Sequence, residues 1–148
     1  MTNALPENFG CYTCNRCKVS CPILVQSKKF TSTNTGKTYP IRQFMNCNSE
    51  FVIYLATCKK CRGQYVGKSK TKFKTRHSNH KQEIKRGYGG LGHHYGGQSG
   101  CGYENLSIQL IEKCENEEIL ASRETFWQHQ IRAYVQNGGK AHCYRKDI

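Results

Sequence analysis

Five polar side chains, distributed from residue 54 onward, are of the types needed to cut a phosphodiester with one metal ion. Tyr54 and Tyr65 lie in two short apolar runs, and Arg76 and His80 follow four residues apart in a basic stretch. Glu124 comes much later, in the run Ser-Arg-Glu-Thr-Phe-Trp. A guanidinium binds phosphate oxygens, a carboxylate holds a hard cation, and a tyrosine or histidine moves a proton. Alone, each is an ordinary residue of a strand, a basic helix face or a helix edge.

The elements that would position these groups follow from apolar periodicity. Phe51–Thr57 is apolar on both faces, as in an interior strand, and Gln64–Gly67 would pair with it through a hairpin turn at Gly63. Residues 70–86 predict a helix. Its apolar stripe falls at i, i+4, i+7 and i+11, on Phe73, His77, His80 and Ile84.

The rest of this unit predicts a loop, a strand and a helix. Residues 87–102 are glycine-rich and should form a loop that carries His93 and His94. A third strand follows at Leu106, Ile108 and Leu110, which alternate. Asn116 is a suitable N-cap for a helix that runs to about Val135. The order strand, strand, helix, strand, helix predicts a small α/β domain with a three-stranded antiparallel sheet flanked by helices.

Glu124 would lie in the inward stripe of the second helix, with Leu120, Trp127 and Ile131. A buried carboxylate is costly unless it meets a cation or a metal ion. The alternative is that Glu124 pairs with Arg123 or another surface cation.

The first third of the chain differs in composition. Residues 1–48 are poor in apolar side chains and should form a cysteine-rich segment, separate from a globular unit at 49–148. A hairpin is expected at 30–41, around Asn34-Thr35-Gly36-Lys37. Because this segment would bury little apolar area, we expect it to need a metal ion to hold its shape.

Ten cysteines also favour metal binding. No signal-peptide core follows Met1, and pairs with Cys-x2-Cys spacing are present, so zinc is a better interpretation than disulfides. Cys58 and Cys61 form one such pair, in the predicted turn between the two tyrosine strands. The run Cys11, Cys14, Cys17, Cys21 also has iron–sulfur spacing, but a basic body with no second cluster run disfavours an electron carrier.

The net charge of +13, from 23 Lys and Arg against 10 Asp and Glu, predicts a polyanionic partner. DNA is the first expectation, and RNA is the alternative. The sequence has no apolar run of membrane-spanning length and no basic amphipathic helix with a strong apolar face, so we expect a soluble, intracellular protein without a membrane partner.

Taken together, these residues resemble the GIY-YIG nuclease superfamily over residues 49 to 135. The first motif is present as Val52-Ile53-Tyr54 and the second as Tyr65-Val66-Gly67. The family's arginine, histidine and metal-binding glutamate match Arg76, His80 and Glu124. Its further histidine matches His94, which precedes an aromatic residue, with His93 as the alternative.

The resemblance implies an endonuclease with one Mg²⁺ or Mn²⁺ held by Glu124 and substrate oxygens. Arg76 would hold the scissile phosphate and stabilise the transition state. Tyr65, His80 and His94 would complete the hydrogen-bond network. Whether Tyr54 or His80 is the general base stays open.

Within the superfamily the chain resembles the endonuclease domain of Penelope-like retroelements, through its N-terminal cysteines, Thr35-Gly36-Lys37-Thr38-Tyr39 and Asn46-Cys47-Asn48-Ser49. That resemblance implies one or two structural zinc ions. The preferred first site uses Cys14, Cys17, Cys21 and Cys47, with Cys11 or Cys14 as the surplus thiol. Cys58 and Cys61 would form a second site, completed by a histidine or Cys101.

A rival arrangement joins Cys14 and Cys17 to Cys58 and Cys61. Cys114 and Cys143 would be ordinary thiols. The branch further implies a nuclear location, a reverse transcriptase partner, and a nick that exposes a 3′-hydroxyl to prime reverse transcription. The alternative function is a non-catalytic zinc module that binds nucleic acid.

Overall fold

A three-stranded antiparallel sheet lies at the centre of the computed structural model, which describes residues 8–18, 21–86, 91, 94–95, 101–133, 135–136 and 140–141. Its strands run in the order β6-β5-β7. The longer elements are β5 (Val52–Cys58), β6 (Gln64–Ser69), α1 (Phe73–Arg86), β7 (Leu106–Lys113) and α2 (Glu117–Ile131). The short strands are β1 (Gly10–Cys11), β2 (Lys29–Thr31), β3 (Thr38–Pro40), β4 (Phe44–Met45), β8 (Val135–Gln136) and β9 (Lys140–Ala141).

The predicted order of strands and helices is confirmed. β5 is buried along almost its whole length and pairs on both sides, as expected of an interior strand. The stripe predicted for α1 is buried. Asn116 caps α2 by accepting a hydrogen bond from the amide of Ile119 at 2.9 Å.

One predicted boundary was wrong. The helix α2 ends at Ile131 rather than near Val135, because Arg132 adopts the left-handed conformation (φ 61°) and its N–H donates to the carbonyls of Gln128 and His129. The hairpin turn predicted between β5 and β6 is confirmed, and its residue with positive φ is Arg62 (70°).

The pairing register sends α1 and α2 to opposite faces of the sheet. Tyr54 is paired with Gly67, and the preceding row pairs Ile53 with Lys68. Since neighbouring residues of a strand point to opposite faces, these two rows face opposite ways. The Tyr54 ring meets α1, whereas Lys68 contacts α2. β6 has β5 on one side only, so it is an edge strand at which the two faces meet.

The N-terminal segment packs along β7 and shares the core of the sheet. The amide of Val25 donates to the carbonyl of Ile108 (2.8 Å), and the amide of Ile108 donates to the carbonyl of Ile23 (2.9 Å). Phe30 and Met45 are buried in the same core. The expectation that this segment buries little apolar area was therefore wrong. The division of the chain at residue 48 stays a prediction.

The predicted hairpin at 30–41 is confirmed as the antiparallel pair β2–β3, with Gly36 at φ 77° in its turn. At its tip, the hydroxyl of Ser32 donates to the carbonyl of Ile131 at 2.7 Å and ties the hairpin to the end of α2. This contact joins residues 99 apart in sequence, so local patterns could not predict it.

The segment predicted as a glycine-rich loop is described only in part. Leu91, His94 and Tyr95 have helical backbone and buried side chains, which differs from the loop expected there. His93 lies outside the described residues, as do Asn137 to Gly139 and Cys143. Among the described residues, no helix has the length and apolar character needed to cross a membrane.

Candidate active site and metal centres

Tyr54 lies fully buried with its ring against the backbone of Gly67. A Cβ atom at residue 67 would lie 2.4 Å from both Cζ and the hydroxyl oxygen of Tyr54. No side chain larger than hydrogen fits there unless the tyrosine moves. The glycine of the second tyrosine motif therefore creates the space that holds the tyrosine of the first.

The Tyr54 hydroxyl and Nε2 of His80 lie 2.9 Å apart. The two rings meet edge to face with centroids 5.2 Å apart, and Phe73 packs on the tyrosine at 5.7 Å. Tyr65 lies on the same sheet face, with its ring 6.2 Å from that of Tyr54. The structure thus brings together both tyrosines and the histidine singled out in the sequence.

The surroundings of His80 favour one tautomer. Its Nδ1 is buried and has no hydrogen-bond partner among the described residues. A buried N–H without a partner is rare in proteins, whereas an unpaired acceptor is tolerated more often. The proton therefore belongs on Nε2, where it is donated to the oxygen of Tyr54.

His80 is held neutral. Burial lowers its pKa far below the ordinary value of 6.5, and the positive charge of Arg76 and the neighbouring His77 lower it further. Arg76 is partly exposed and lies on α1, one turn before His80. A neutral, Nε2-protonated imidazole is a hydrogen-bond donor to the tyrosine and a poor proton acceptor from it.

Glu124 reaches the sheet from α2. Its Oε1 lies 3.3 Å from Nζ of Lys68, the residue that follows Gly67. The carboxylate side chain is 19% exposed and the lysine side chain 40%, so the pair is accessible from solvent. Sequence reasoning missed Lys68. The available signal was the alternation of side chains along a strand: Lys68 follows Gly67, so it points to the face opposite the Tyr54 ring.

The alternative that Glu124 pairs with a surface cation is confirmed for Lys68 but not for Arg123, which binds another carboxylate. Its Nε donates to both carboxylate oxygens of Glu112, at 2.9 and 3.1 Å. The indole N–H of Trp127 donates to the same carboxylate at 2.7 Å. Glu112 therefore anchors α2 to β7 and leaves Glu124 directed toward β6.

The candidate site is built around the free edge of β6. Tyr65 and the Tyr54–His80 pair contribute from the α1 face, and Lys68 with Glu124 from the α2 face. Because an edge strand has no neighbour on its outer side, the partly exposed side chains Tyr65, Lys68 and Glu124 can reach a ligand that lies along it, whereas Tyr54 and His80 lie buried behind that edge. Gly67 is at this point and adds no side chain to obstruct the approach.

A first group of four thiols lies at the N-terminal segment: Cys14, Cys17, Cys21 and Cys47. The Sγ atoms of Cys14 and Cys17 are 3.2 Å apart, and those of Cys21 and Cys47 are 3.3 Å apart. Tetrahedral zinc with four thiolates requires sulfur–sulfur separations of about 3.8 Å. The grouping fits zinc after a small expansion, and it matches the preferred set rather than the rival one.

Two of these thiols, Cys14 and Cys21, have a lowered pKa, which favours the thiolate form that zinc requires. Burial opposes ionisation of Cys21, but hydrogen bonds from Cys47 and from the backbone at Cys17 outweigh it and lower its pKa to about 6. Hydrogen bonds from the backbone of Arg16 and from Cys17 lower the pKa of Cys14. Thiolates are the zinc-binding form of cysteine.

A second group consists of Cys58, Cys61, His94 and Cys101, whose ligand atoms lie within 4.8 Å of one another. Nε2 of His94 is 3.6 Å from Sγ of Cys61. Three thiols with one imidazole are a standard donor set for structural zinc. Both completions considered from the sequence, a histidine and Cys101, are present together.

This position changes the interpretation of His94. The sequence resemblance assigned it to the catalytic network, whereas the structure groups it with three cysteines. The nitrogen that would move a proton is the one that faces the thiols, so a metal bound there would occupy its lone pair. A ligand role suits His94 better than a catalytic one.

Two more cysteines lie outside both groups in the described part of the chain. Cys11 is buried beneath β7, where it accepts the amide of Leu110 at 3.3 Å, and burial raises its pKa to about 11. Burial also raises the pKa of Cys114 to about 11. Because Cys14 lies in the first group of thiols and Cys11 does not, Cys11 is the surplus thiol of the N-terminal run.

Comparison with known proteins gave one family match. The model of the GIY-YIG catalytic domain matches residues 50–138, which is more than half of the chain. Neither the curated proteins nor the solved structures that were compared gave a match. The matched span includes the whole edge-strand site and the second cysteine group.

Proposed function

Because this chain belongs to the GIY-YIG catalytic domain family, we propose that it is a metal-dependent DNA endonuclease that nicks one strand of its substrate. The family consists of endonucleases, so a nuclease-type hydrolase acting on nucleic acid follows from membership. The observation that carries the finer proposal is the edge of β6. There a buried tyrosine–histidine pair and a partly exposed glutamate flank one glycine.

The contacts around β6 support the following roles. The scissile phosphate lies along β6, with the guanidinium of Arg76 on its non-bridging oxygens, where a planar fork stabilises the added charge of the transition state. We assign the base to Tyr54, whose hydroxyl is buried in the free protein and must become accessible to the attacking water when substrate binds. A free tyrosine has a pKa of about 10, so it needs help to act as a base. The N–H of His80 supplies that help because it is donated to the phenolic oxygen.

Glu124 fits a divalent ion of the Mg²⁺ or Mn²⁺ type. A single carboxylate with access to solvent and substrate suits Mg²⁺, which keeps most of its water ligands. Bound there, such an ion would polarise a phosphoryl oxygen and neutralise charge on the leaving group. Lys68 holds the same carboxylate and therefore keeps Glu124 oriented while the substrate is absent.

The two cysteine groups support two structural zinc ions, one in each group. The first joins the N-terminal segment to the residues just before β5. The second joins the β5–β6 turn to Cys101, ahead of β7. Both sites hold the ends of the strands that carry the tyrosines.

The biological setting is also a proposal. The sequence resemblance to the endonuclease domain of Penelope-like retroelements supports nicking for target-primed reverse transcription, in the nucleus and with a reverse transcriptase as partner. The grouping of Cys14, Cys17, Cys21 and Cys47 is consistent with that branch, whose N-terminal cysteines precede the first tyrosine motif.

Nicking of supercoiled plasmid in Mg²⁺ tests the proposed function. We expect Arg76→Ala and Glu124→Gln to abolish nicking and the wild type to nick. Matched controls on the same helices are Lys85→Ala and Glu117→Gln; Glu117 forms an exposed ion pair with Lys70. Absence of nicking by the wild type, or equal nicking by Glu124→Gln and Glu117→Gln, contradicts the proposal.

The net charge of +13 and the cysteine groups favour a second candidate, a non-catalytic zinc module that binds nucleic acid. In that case Arg76→Ala would only weaken binding and reduce the salt slope by about one unit. Glu124→Gln would have little effect. Loss of cleavage in Glu124→Gln with unchanged DNA affinity excludes this candidate.

A further inference from the structure

A second, partly buried hydrogen bond lies one turn of α1 away from the Tyr54–His80 pair. Nε2 of His77 and the hydroxyl of Tyr103 are 2.9 Å apart, and the two rings stack with centroids 6.1 Å apart at 26°. His77 is fully buried, and its Nδ1 has no partner among the described residues. Tyr103 is thus the polar contact that the structure gives to this imidazole.

Packing alone does not account for a histidine at this place. The position belongs to the inward stripe of α1, where Leu or Met would fill the space without burying a polar ring. Burial lowers the pKa of His77 to about 4, so the ring is neutral at pH 7. A neutral buried imidazole with one hydrogen bond costs stability relative to an apolar side chain, which suggests a role other than packing.

Tyr103 is held by the backbone on the other side of this contact. It is the first residue of the one-turn 3₁₀ helix Tyr103–Asn105, in which the amide of Asn105 donates to the carbonyl of Gly102 at 3.0 Å. The carbonyl of Asn105 accepts the amide of Lys59 at 2.8 Å. Cys101, two residues before Tyr103, belongs to the second cysteine group. The hydroxyl is therefore presented from a fixed segment.

On its other side His77 contacts the groups that surround the base. Its ring stacks on Phe73 at 5.8 Å and meets the ring of His80 edge to face at 6.0 Å. Phe73 and His80 both pack on Tyr54. A rotation of the His77 ring would therefore disturb the contacts that Phe73 and His80 make with Tyr54.

We propose that His77 and Tyr103 are positioning residues, whose hydrogen bond fixes the orientation of His80 and through it the 2.9 Å contact with the Tyr54 oxygen. The proposal rests on the nuclease function above and adds two residues to it. Neither residue touches the substrate. Each acts through His80, and the anchor for both is the segment that follows Cys101.

The test is Tyr103→Phe, which removes one oxygen and keeps the ring. Its matched control is Tyr39→Phe, because the hydroxyl of Tyr39 is buried without a hydrogen-bond partner in the described residues. We expect Tyr103→Phe to lower the single-turnover nicking rate about 2- to 10-fold, as loss of one neutral hydrogen bond implies. DNA affinity and zinc content should match the wild type, and Tyr39→Phe should nick at the wild-type rate.

Two further readouts separate positioning from a purely structural role. The ¹⁵N signals of the His80 imidazole should move in Tyr103→Phe and stay in place in Tyr39→Phe. His77→Leu should reduce the rate by a similar factor, and the double variant should lose no more than either single variant, since both remove one interaction.

Unchanged His80 signals in Tyr103→Phe overturn the proposal, as does a rate loss accompanied by loss of zinc or of DNA affinity. Additive rate losses in the double variant also contradict it. If the wild type does not nick DNA at all, the proposed function fails, and the ¹⁵N measurement alone then decides whether Tyr103 orients His80.

Discussion

Replacement of Gly67 by alanine tests how the two tyrosine motifs depend on each other. The added Cβ would lie 2.4 Å from Cζ and from the hydroxyl oxygen of Tyr54, and 2.9 Å from its Cε1. Those distances are far inside van der Waals contact, and the ring is fully buried between Phe73 and His80. Tyr54 must therefore move by an ångström or more, and its hydrogen bond to His80 must lengthen.

The magnitudes favour a moderate loss of stability and a larger loss of activity. Overpacking costs about 1–3 kcal/mol, and loss of the Tyr54–His80 hydrogen bond about 1 kcal/mol. Alanine recovers about 0.5–1 kcal/mol through its lower backbone entropy in a strand. We therefore expect Gly67→Ala to lower the free energy of unfolding by about 1–3 kcal/mol. Displacement of a catalytic group by about 1 Å costs roughly a hundredfold in rate.

Urea denaturation and single-turnover nicking at saturating DNA measure the two effects. Gly36→Ala is the control: its φ is +77° and nothing lies within 4 Å of a Cβ there. That variant should lose about 1 kcal/mol of stability and keep its nicking rate. The reasoning is refuted if Gly67→Ala nicks at nearly the wild-type rate while Tyr54→Phe is inactive.

Three further predictions concern the charges and thiols. Lys68→Met should lower the free energy of unfolding by less than about 1 kcal/mol, because the ion pair is partly exposed. It should also lower the Mg²⁺ concentration needed for half-maximal nicking, since Glu124 loses a competing cation. An unchanged Mg²⁺ titration contradicts this expectation. Burial lowers the pKa of His77 from 6.5 to about 4. Below pH 6.5 the unfolded chain therefore binds a proton that the folded protein does not, and the free energy of unfolding decreases as the pH is lowered. That loss is about 2 kcal/mol between pH 7 and pH 5, and urea titrations should show a smaller loss in His77→Gln. Cys47→Ser should release one zinc equivalent in a metal assay, whereas Cys11→Ser should release none.

The sequence predicted the central elements because their signals are local. Apolar runs gave β5 and β6, a period near four gave the buried face of α1, and Asn116 marked the start of α2. The candidate site could be recognised because the order and spacing of its residues match a family pattern. Its hydrogen bonds could not be predicted from that pattern.

What the sequence missed depends on contacts between distant residues. Lys68 and Glu124 are 56 residues apart, and only the strand register brings the lysine to α2. His77 read as one more residue of an inward stripe, because its partner Tyr103 lies 26 residues away. A histidine was considered as a ligand of the second cysteine site, but only the fold identifies it as His94, which the family pattern had assigned to the catalytic network.

The central claim is that Tyr54, Arg76 and Glu124 act on one phosphate at the edge of β6. A crystal structure of Tyr54→Phe with nicking-substrate DNA and Mn²⁺ tests this most directly. We predict one Mn²⁺ between the Glu124 carboxylate and a phosphate oxygen, the Arg76 guanidinium on the same phosphate, and residue 54 on its other side. DNA bound elsewhere, with Glu124 still paired to Lys68 and no ion beside it, would contradict the account.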